Sequence, residues 1–246
     1  MRGQASARRG QVVDDMSTPV VDRVRLMLRR DGVRGTLGRV AKRAVSYVAL
    51  SEEHVWFVLD AGAERPEPRL APELTLTRPG SSDLLLLEQL TTVVPRKARA
   101  RIDAGNDLWL VLEGDRLLLN MWIFRGQTPA IAAPGGQLPL PSDTVCLEDV
   151  EAIPAARGKG IAPAAYAAIA DAVAAEGKRW IVCKIIADNA SAQRAVKKAG
   201  FEAVALMHFR RIGPRSRTWL EPLDSPLASL FAERVGPGLV DSHTSR

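Results

Sequence analysis

From residue 73 onward the apolar positions fall into short runs whose spacing switches between two and about three and a half, as strands interleaved with helices require. The pattern predicts a strand over 74–77, a helix after Ser82 with Ser82 or Asp83 as its cap, and another helix starting at Pro95. A hairpin follows, its strands over 108–112 and 117–124 joined at Glu113-Gly114-Asp115. Then come a strand over 144–153, an alanine-rich helix over 158–176, a strand over 179–187, a helix over 190–199 and a strand over 203–211. A β-α-β-α-β run places neighbouring strands parallel through right-handed crossovers, so the class is α/β with a mixed sheet.

Upstream the pattern changes. Val20, Val21, Val24, Met27 and Leu28, then Val33, Leu37, Val40, Ala41 and Ala44, recur at helical spacing with arginines between them, and Gly32 and Gly35 divide them into two short helices. Residues 47–61 read as a strand or hairpin, and the Pro/Glu/Arg-rich stretch 64–72 reads as a linker. The resulting division is a disordered tail over 1–19, a small basic helix/strand subdomain over 20–72, a main domain over 73–222 and a C-terminal tail over 223–246. The Pro/Gly-rich segment 127–142 is expected as a long surface loop.

With 246 residues, 46% of them apolar and 25% charged, the chain has the composition of a soluble globular protein with enough length for a real core. The net charge of +6 is concentrated: residues 1–50 carry +7 and the remainder −1. The basic N-terminal helices could face an anionic membrane surface, nucleic acid or an acidic partner, or pack on the main domain with their arginines solvated. No aromatic residue lies in 1–46, which argues against single-strand base stacking. Residues 1–15 lack the apolar core of a secretory signal, and no uncharged apolar run approaches the ~20 residues of a membrane span. Cys146 and Cys183 lie far apart in apolar runs, the usage of small buried hydrophobes in a reducing cytoplasm. With only His54, His208 and His243 available, no metal site is expected.

The sharpest chemical signal is Val150-Glu151-Ala152-Ile153-Pro154-Ala155-Ala156-Arg157-Gly158-Lys159-Gly160-Ile161-Ala162. A strand ends at Pro154, a loop carries Arg-Gly-Lys-Gly, and a helix of small residues begins. Glycines let backbone approach a ligand, and unpaired amides at a helix start attract phosphate oxygens. Arg157 and Lys159 add positive charge, so a pyrophosphate suits the turn. It is not a Walker A loop, since no Ser or Thr follows Gly-Lys, nor a GxGxxG fingerprint, since Pro163 fills the last glycine position. In a second segment, 185–202, Asn189 is placed to cap a helix, Gly200 to end it and Phe201 to start the next strand.

Together the Arg157-x-x-Gly160-x-Ala162 loop and the Asn189…Lys198-Ala199-Gly200-Phe201 segment resemble the GCN5-related N-acetyltransferase (GNAT) superfamily, over about residues 73–222. The resemblance implies a GNAT acyl-CoA N-acyltransferase fold whose fourth and fifth strands, here 144–153 and 179–187, splay apart to admit acetyl-CoA as co-substrate. It implies that backbone groups of Ala152 and Ile153 hold the pantetheine arm or acyl carbonyl, that Arg157, Gly158, Lys159, Gly160, Ile161 and Ala162 bind pyrophosphate, and that Asn189 and Ser191 contact the coenzyme further along. The implied reaction is N-acetylation of a primary amine, with a small-molecule amine or amino sugar as the acceptor expected first. The alternative is a catalytically silent acyl-CoA-binding module.

A lysine-like amine must be neutral to attack, which at pH 7 costs about 4–5 kcal/mol and calls for a general base. Alternation along the strand puts Asp149 and Glu151 on one face and Glu148 on the other. Glu151, then Asp149, are the candidate base or water anchor; pairing of these acids with Arg179, Lys184 or solvent is equally open. Many members of the superfamily place a Tyr three residues after the position of Gln193; here Val196 stands there, leaving thiolate departure unassisted or served by His208 or Tyr166, both of which suit a core role as well.

Overall fold

The computed structural model describes residues 49–80, 83–89 and 95–240. The helices expected over 20–47 and the residues beyond 240 lie outside that range. Ten strands and four α-helices follow in chain order: β1 (Ala49–Asp60), β2 (Leu74–Thr77), a 3-10 segment (Asp83–Gln89), α1 (Pro95–Asp103), β3 (Asp107–Glu113), β4 (Arg116–Arg125), β5 (Gln127–Pro129), β6 (Gln137–Pro139), β7 (Thr144–Ala152), α2 (Ile161–Ala175), β8 (Trp180–Ile186), α3 (Ala190–Lys198), β9 (Glu202–Ile212), β10 (Arg215–Pro222) and α4 (Ala228–Arg234). The elements anticipated between 74 and 211 are present within a few residues of their expected bounds, except that the helix expected after Ser82 is the 3-10 segment, with Ser82 itself outside the described residues. No helix among the described residues is long and apolar enough to cross a membrane.

Eight strands form one sheet in the order β10-β9-β1-β8-β7-β4-β3-β2. β4 (RLLLNMWIFR) is almost wholly buried because helices or loops cover both of its faces, which explains its near-continuous apolar run. On one face α2 and α3 pack against Phe57, Leu59, Met121, Ile123, Val145, Leu147 and Ile181. α3 is stopped at Gly200 (φ 94°), where the Gly200 and Phe201 amides reach back to the carbonyls of Lys197 and Val196. A Cβ there would also stand 3.1 Å from Cβ of Arg65, so any other residue at this turn is strained in both backbone and packing.

Three expectations are corrected. The division at 64–72 does not separate a subdomain, because β1 lies inside the main sheet and pairs antiparallel with β8 from His54↔Ile186 to Asp60↔Trp180. The linker composition of 64–72 marks only the connection leaving that strand. The segment 127–142 is not simply a surface loop: β5 and β6 pair within it, and Thr128, Ala130, Ala132, Ala133 and Leu138 are buried. Finally, 223–246 is not simply a tail. Phe231 of α4 is 1% exposed with its ring 5.3 Å from that of Trp56 on β1, and Arg234 forms an ion pair with Asp143 at the start of β7.

Replacing Phe231 by Ala therefore removes a core side chain and should destabilise the protein by about 3–5 kcal/mol in urea unfolding; a tail residue would show no loss. Asp143 gives a second check. Partial burial pushes its carboxyl up, but the hydrogen bond and charge of Arg234 outweigh this and hold it below the usual carboxylate range. A depressed acid contributes stability that is present above its unfolded value and lost as pH falls through the folded one. Asp143→Asn should thus lower the melting temperature at pH 7, with the difference from wild type shrinking as pH falls below the ordinary carboxylate range and through the lowered folded value.

Candidate functional site

β7 and β8 run parallel but share only three pairs, Thr144↔Trp180, Val145↔Ile181 and Cys146↔Val182. Beyond Cys146 the strands part, as the resemblance implied. The partner ladder on the other side of β7 continues to Leu119↔Ala152, but with a slip: Trp122 opposes Glu148 while Asn120 opposes Glu151, so Met121 faces two residues, Asp149 and Val150. This is a β-bulge, and it bends the strand where it leaves β8. Asp149 has φ 49°, the one non-glycine residue among those described with a positive φ. Asn120, fully buried, donates from Nδ2 to the Asp149 carbonyl (3.4 Å), and Arg101 of α1 pairs with the Asp149 carboxylate at 2.7 Å.

The bulge overturns strict alternation of the acids. Residues paired across antiparallel strands point to the same face, and Trp122 and Asn120 lie two apart on β4, so Glu148 and Glu151 share a face. Glu148 forms a nearly buried ion pair with Lys184 of β8, their side chains 9% and 14% exposed. Lys184 Nζ also donates to the Pro129 carbonyl (2.6 Å) and lies 5.8 Å above the Trp56 ring, while Cys146 Sγ donates to Glu148 Oε1 at 3.3 Å. Burial pushes the Glu148 carboxyl up, and Lys184 opposes the shift. This pair bridges β7 and β8 just beyond their last ladder pair, at the apex of the fork. Glu151 is half-buried, and Asp149, half exposed, is held by Arg101.

At the open end, Gly158 (φ 76°) and Gly160 (φ 77°) turn the chain into α2, and a Cβ on either would meet no atom within 4 Å. No side chain caps α2, and Pro163 carries no N–H, so the first turn presents its amides outward. Lys159 is exposed beside them. Arg157 bends back, its Nε donating to the Ala152 carbonyl at 3.2 Å.

Ile153 does not fit the backbone role expected of it. Its N–H goes to the Leu118 carbonyl and its C=O accepts from Ala156. Because Ile153 turns toward β4, the preceding Ala152 directs its backbone groups the other way, into the fork. Asn189 caps α3 by accepting from the Ala192 amide (3.1 Å), and Ser191 is exposed on the first turn.

The remaining candidates are fixed elsewhere. Val196 and Tyr166 are core residues, Tyr166 edge-on to Phe201, with burial pushing its hydroxyl well up. His208 lies between Glu53 (2.9 Å) and Glu221 (3.2 Å), stacked on Trp219. Cys146 and Cys183 are buried and unbridged, and burial raises both thiols, so neither is a ready nucleophile. No cluster of metal-ligating side chains occurs among the described residues. Sequence reasoning passed over Asn120 and Arg101 as parts of the site, and offered Lys184 only as one possible partner for the acids of this strand. A lone amide inside Leu118-Leu119-Asn120-Met121-Trp122 was the available signal for the first.

Residues 95–201 match the model of the acetyltransferase (GNAT) family. A Drosophila protein aligns at 18% identity over 73% of this chain and 58% of its own, with a TM-score of 0.48. A GCN5-related N-acetyltransferase from Sphaerobacter thermophilus aligns at 13% identity over 70% and 56%, TM-score 0.48. A Salmonella typhimurium protein solved with acetyl-CoA as its cofactor aligns at 16% over 58% and 95%, TM-score 0.41. The chain spans less than two thirds of the length of the first two structures. No curated protein matches it. Over the matched residues 95–201 the mixed α/β sheet with its parted strand pair agrees with the GNAT fold that the sequence motifs implied.

Replacing Lys184 by Met should cost about 3–5 kcal/mol in denaturant unfolding, because Glu148 is left buried without its counter-charge. The double variant Lys184→Met/Glu148→Met should recover most of that loss; an additive double variant would show that the two charges are not coupled.

Proposed function

We propose that this chain, GNAT-type over 95–201, transfers an acetyl group from acetyl-CoA to a primary amine by direct attack. The observation that carries the reading is the union of two features at one end of the sheet: strands that part after three pairs, and a glycine-turned, uncapped helix start that follows directly from one of them. An extended arm fits the first as an added strand, and a diphosphate fits the second.

In this reading the amides leading into α2, with Lys159, hold the diphosphate. Arg157 releases the Ala152 carbonyl to reach the same phosphates, which frees a strand-edge acceptor for the arm at the moment the guanidinium finds its anion. The thioester supplies the acyl group, and the Ala152 N–H faces the position where oxyanion charge develops. The amine nitrogen attacks the thioester carbon; a C–N bond forms, the C–S bond breaks, and the ammonium proton passes to Glu151 directly or through water. The thiolate departs and takes its proton from solvent, since Val196 and Tyr166 are packed in the core. Glu148 is less suited to act as base, because Lys184 occupies its carboxylate. Asp149 shapes the bulge in partnership with Arg101.

Calorimetry with coenzyme A tests the first half: wild type should bind, and Gly160→Val, which forces a β-branched residue to φ 77°, should weaken binding at least tenfold. Thiol release from acetyl-CoA with a panel of amines tests the second. Binding without thiol release would favour the silent acyl-CoA-binding reading; absence of binding would end both.

A further inference from the structure

β9 runs in the same direction as β8. Its start lies near Leu59, which a Cβ on Gly200 would meet at 3.4 Å, and Leu59 pairs with Ile181 at the beginning of β8; further on, His208 meets Glu53, whose carbonyl accepts from Ala187 just past the end of β8. The β9–β10 hairpin therefore reaches its tip at the end of the sheet where the fork opens. The tip reads Arg210-Arg211-Ile212-Gly213-Pro214-Arg215-Ser216-Arg217, with Ile212 72% exposed.

Two of these arginines are arranged against ordinary sheet chemistry. Arg210 and Arg217 are directly opposed in the ladder, a like-charge pair that is unfavourable by itself. Both guanidinium groups are held against one ring, Trp219, at 5.5 and 5.6 Å, and that ring is braced from β9 by His208, stacked at 4.7 Å. Among the described residues no carboxylate pairs with Arg210, Arg215 or Arg217, whereas Arg78, Arg101, Arg125, Arg179 and Arg234 each have one. Glu53 and Glu221, the acids that contact the platform's His208, are engaged with that ring. Two planar cations fixed in advance on an aromatic platform, and lacking a counter-charge, form a receptor for an acidic group.

We propose that Arg210 and Arg217, ordered on Trp219, bind an acidic side chain of a peptide acceptor whose amine enters the β7–β8 fork. The proposal rests on the acetyltransferase reading and narrows its acceptor. The hairpin stands two to three strand spacings from the fork, roughly 10–14 Å. A small amine does not cover that distance, while three to four extended residues do. The acceptor is thus a peptide amine followed, three or four residues on, by Asp or Glu.

The test is titration of the intact chain, with coenzyme A present, with Ala-Ala-Ala-Glu-Glu and with Ala-Ala-Ala-Gln-Gln. The glutamate peptide should bind at least tenfold more tightly, and its affinity should fall roughly tenfold between 50 and 200 mM salt, a readout that needs no variant. Arg210→Gln/Arg217→Gln should erase the preference while coenzyme A affinity stays within twofold. Equal binding of the two peptides overturns the proposal. So does a matching loss of coenzyme A affinity in the variant, which would assign the anion to the coenzyme's own phosphate, or tighter binding of hexathymidylate than of the glutamate peptide. Peptide preference without acetyl transfer would leave this site standing and count against the catalytic reading instead.

Discussion

The whole arrangement depends on two parallel strands that stop pairing. Strand edges carry obligatory donors and acceptors, so a sheet that opens in its middle leaves groups that must be satisfied some other way. β7 resolves this on its outer side by keeping its ladder with β4, at the cost of a bulge and a left-handed backbone at Asp149. On the inner side the Lys184–Glu148 pair replaces the lost ladder with one ionic bridge at the apex. Above it the Ala152 carbonyl takes Arg157 as a donor. The fork is thus a structure in its own right, with separate devices at its apex, wall and rim.

Those devices divide the sheet by face. The face under α2 and α3 is almost entirely apolar, from Phe57 to Ile181. The opposite face gathers the polar residues: Asn120, Glu148, Glu151, Lys184 and, from α1, Arg101 resting over Trp122 and Phe124. Around the fork itself the titratable side chains lie on the second face, while the first supplies rigidity to the helix start that receives the anion.

Much of this was readable in advance, and the limits have definite causes. The hairpin at Gly114, the two glycine-terminated crossovers and the phosphate-suited turn are local features written in short stretches of residues, and they appear where expected. The face assignment of the acids failed because one extra residue in β7 reverses every position beyond it, and nothing in Thr144-Val145-Cys146-Leu147-Glu148-Asp149 announces a slip that is set by the facing strand. The membership of β1 in the main sheet was hidden for a similar reason: composition marked 64–72 as a connection, but which strand it leaves behind is decided by pairing with residues more than a hundred positions away. The role of α4 was missed although Leu227, Leu230, Phe231 and Val235 recur at helical spacing, because which surface that stripe covers is settled only by the Trp56 ring that meets Phe231.

The position of β1 also has a bearing on how the molecule is made. Its partner β8 lies roughly 120 residues downstream, so at ribosomal speeds of about 5–20 residues per second the segment Val55-Trp56-Phe57-Val58-Leu59 emerges about 6–25 s before the strand that will shelter it. During that interval a five-residue apolar stretch with strong strand propensity waits in water, the kind of sequence that adds to other chains when left alone. Pairing of β1 is therefore a late, long-range event in the making of the sheet.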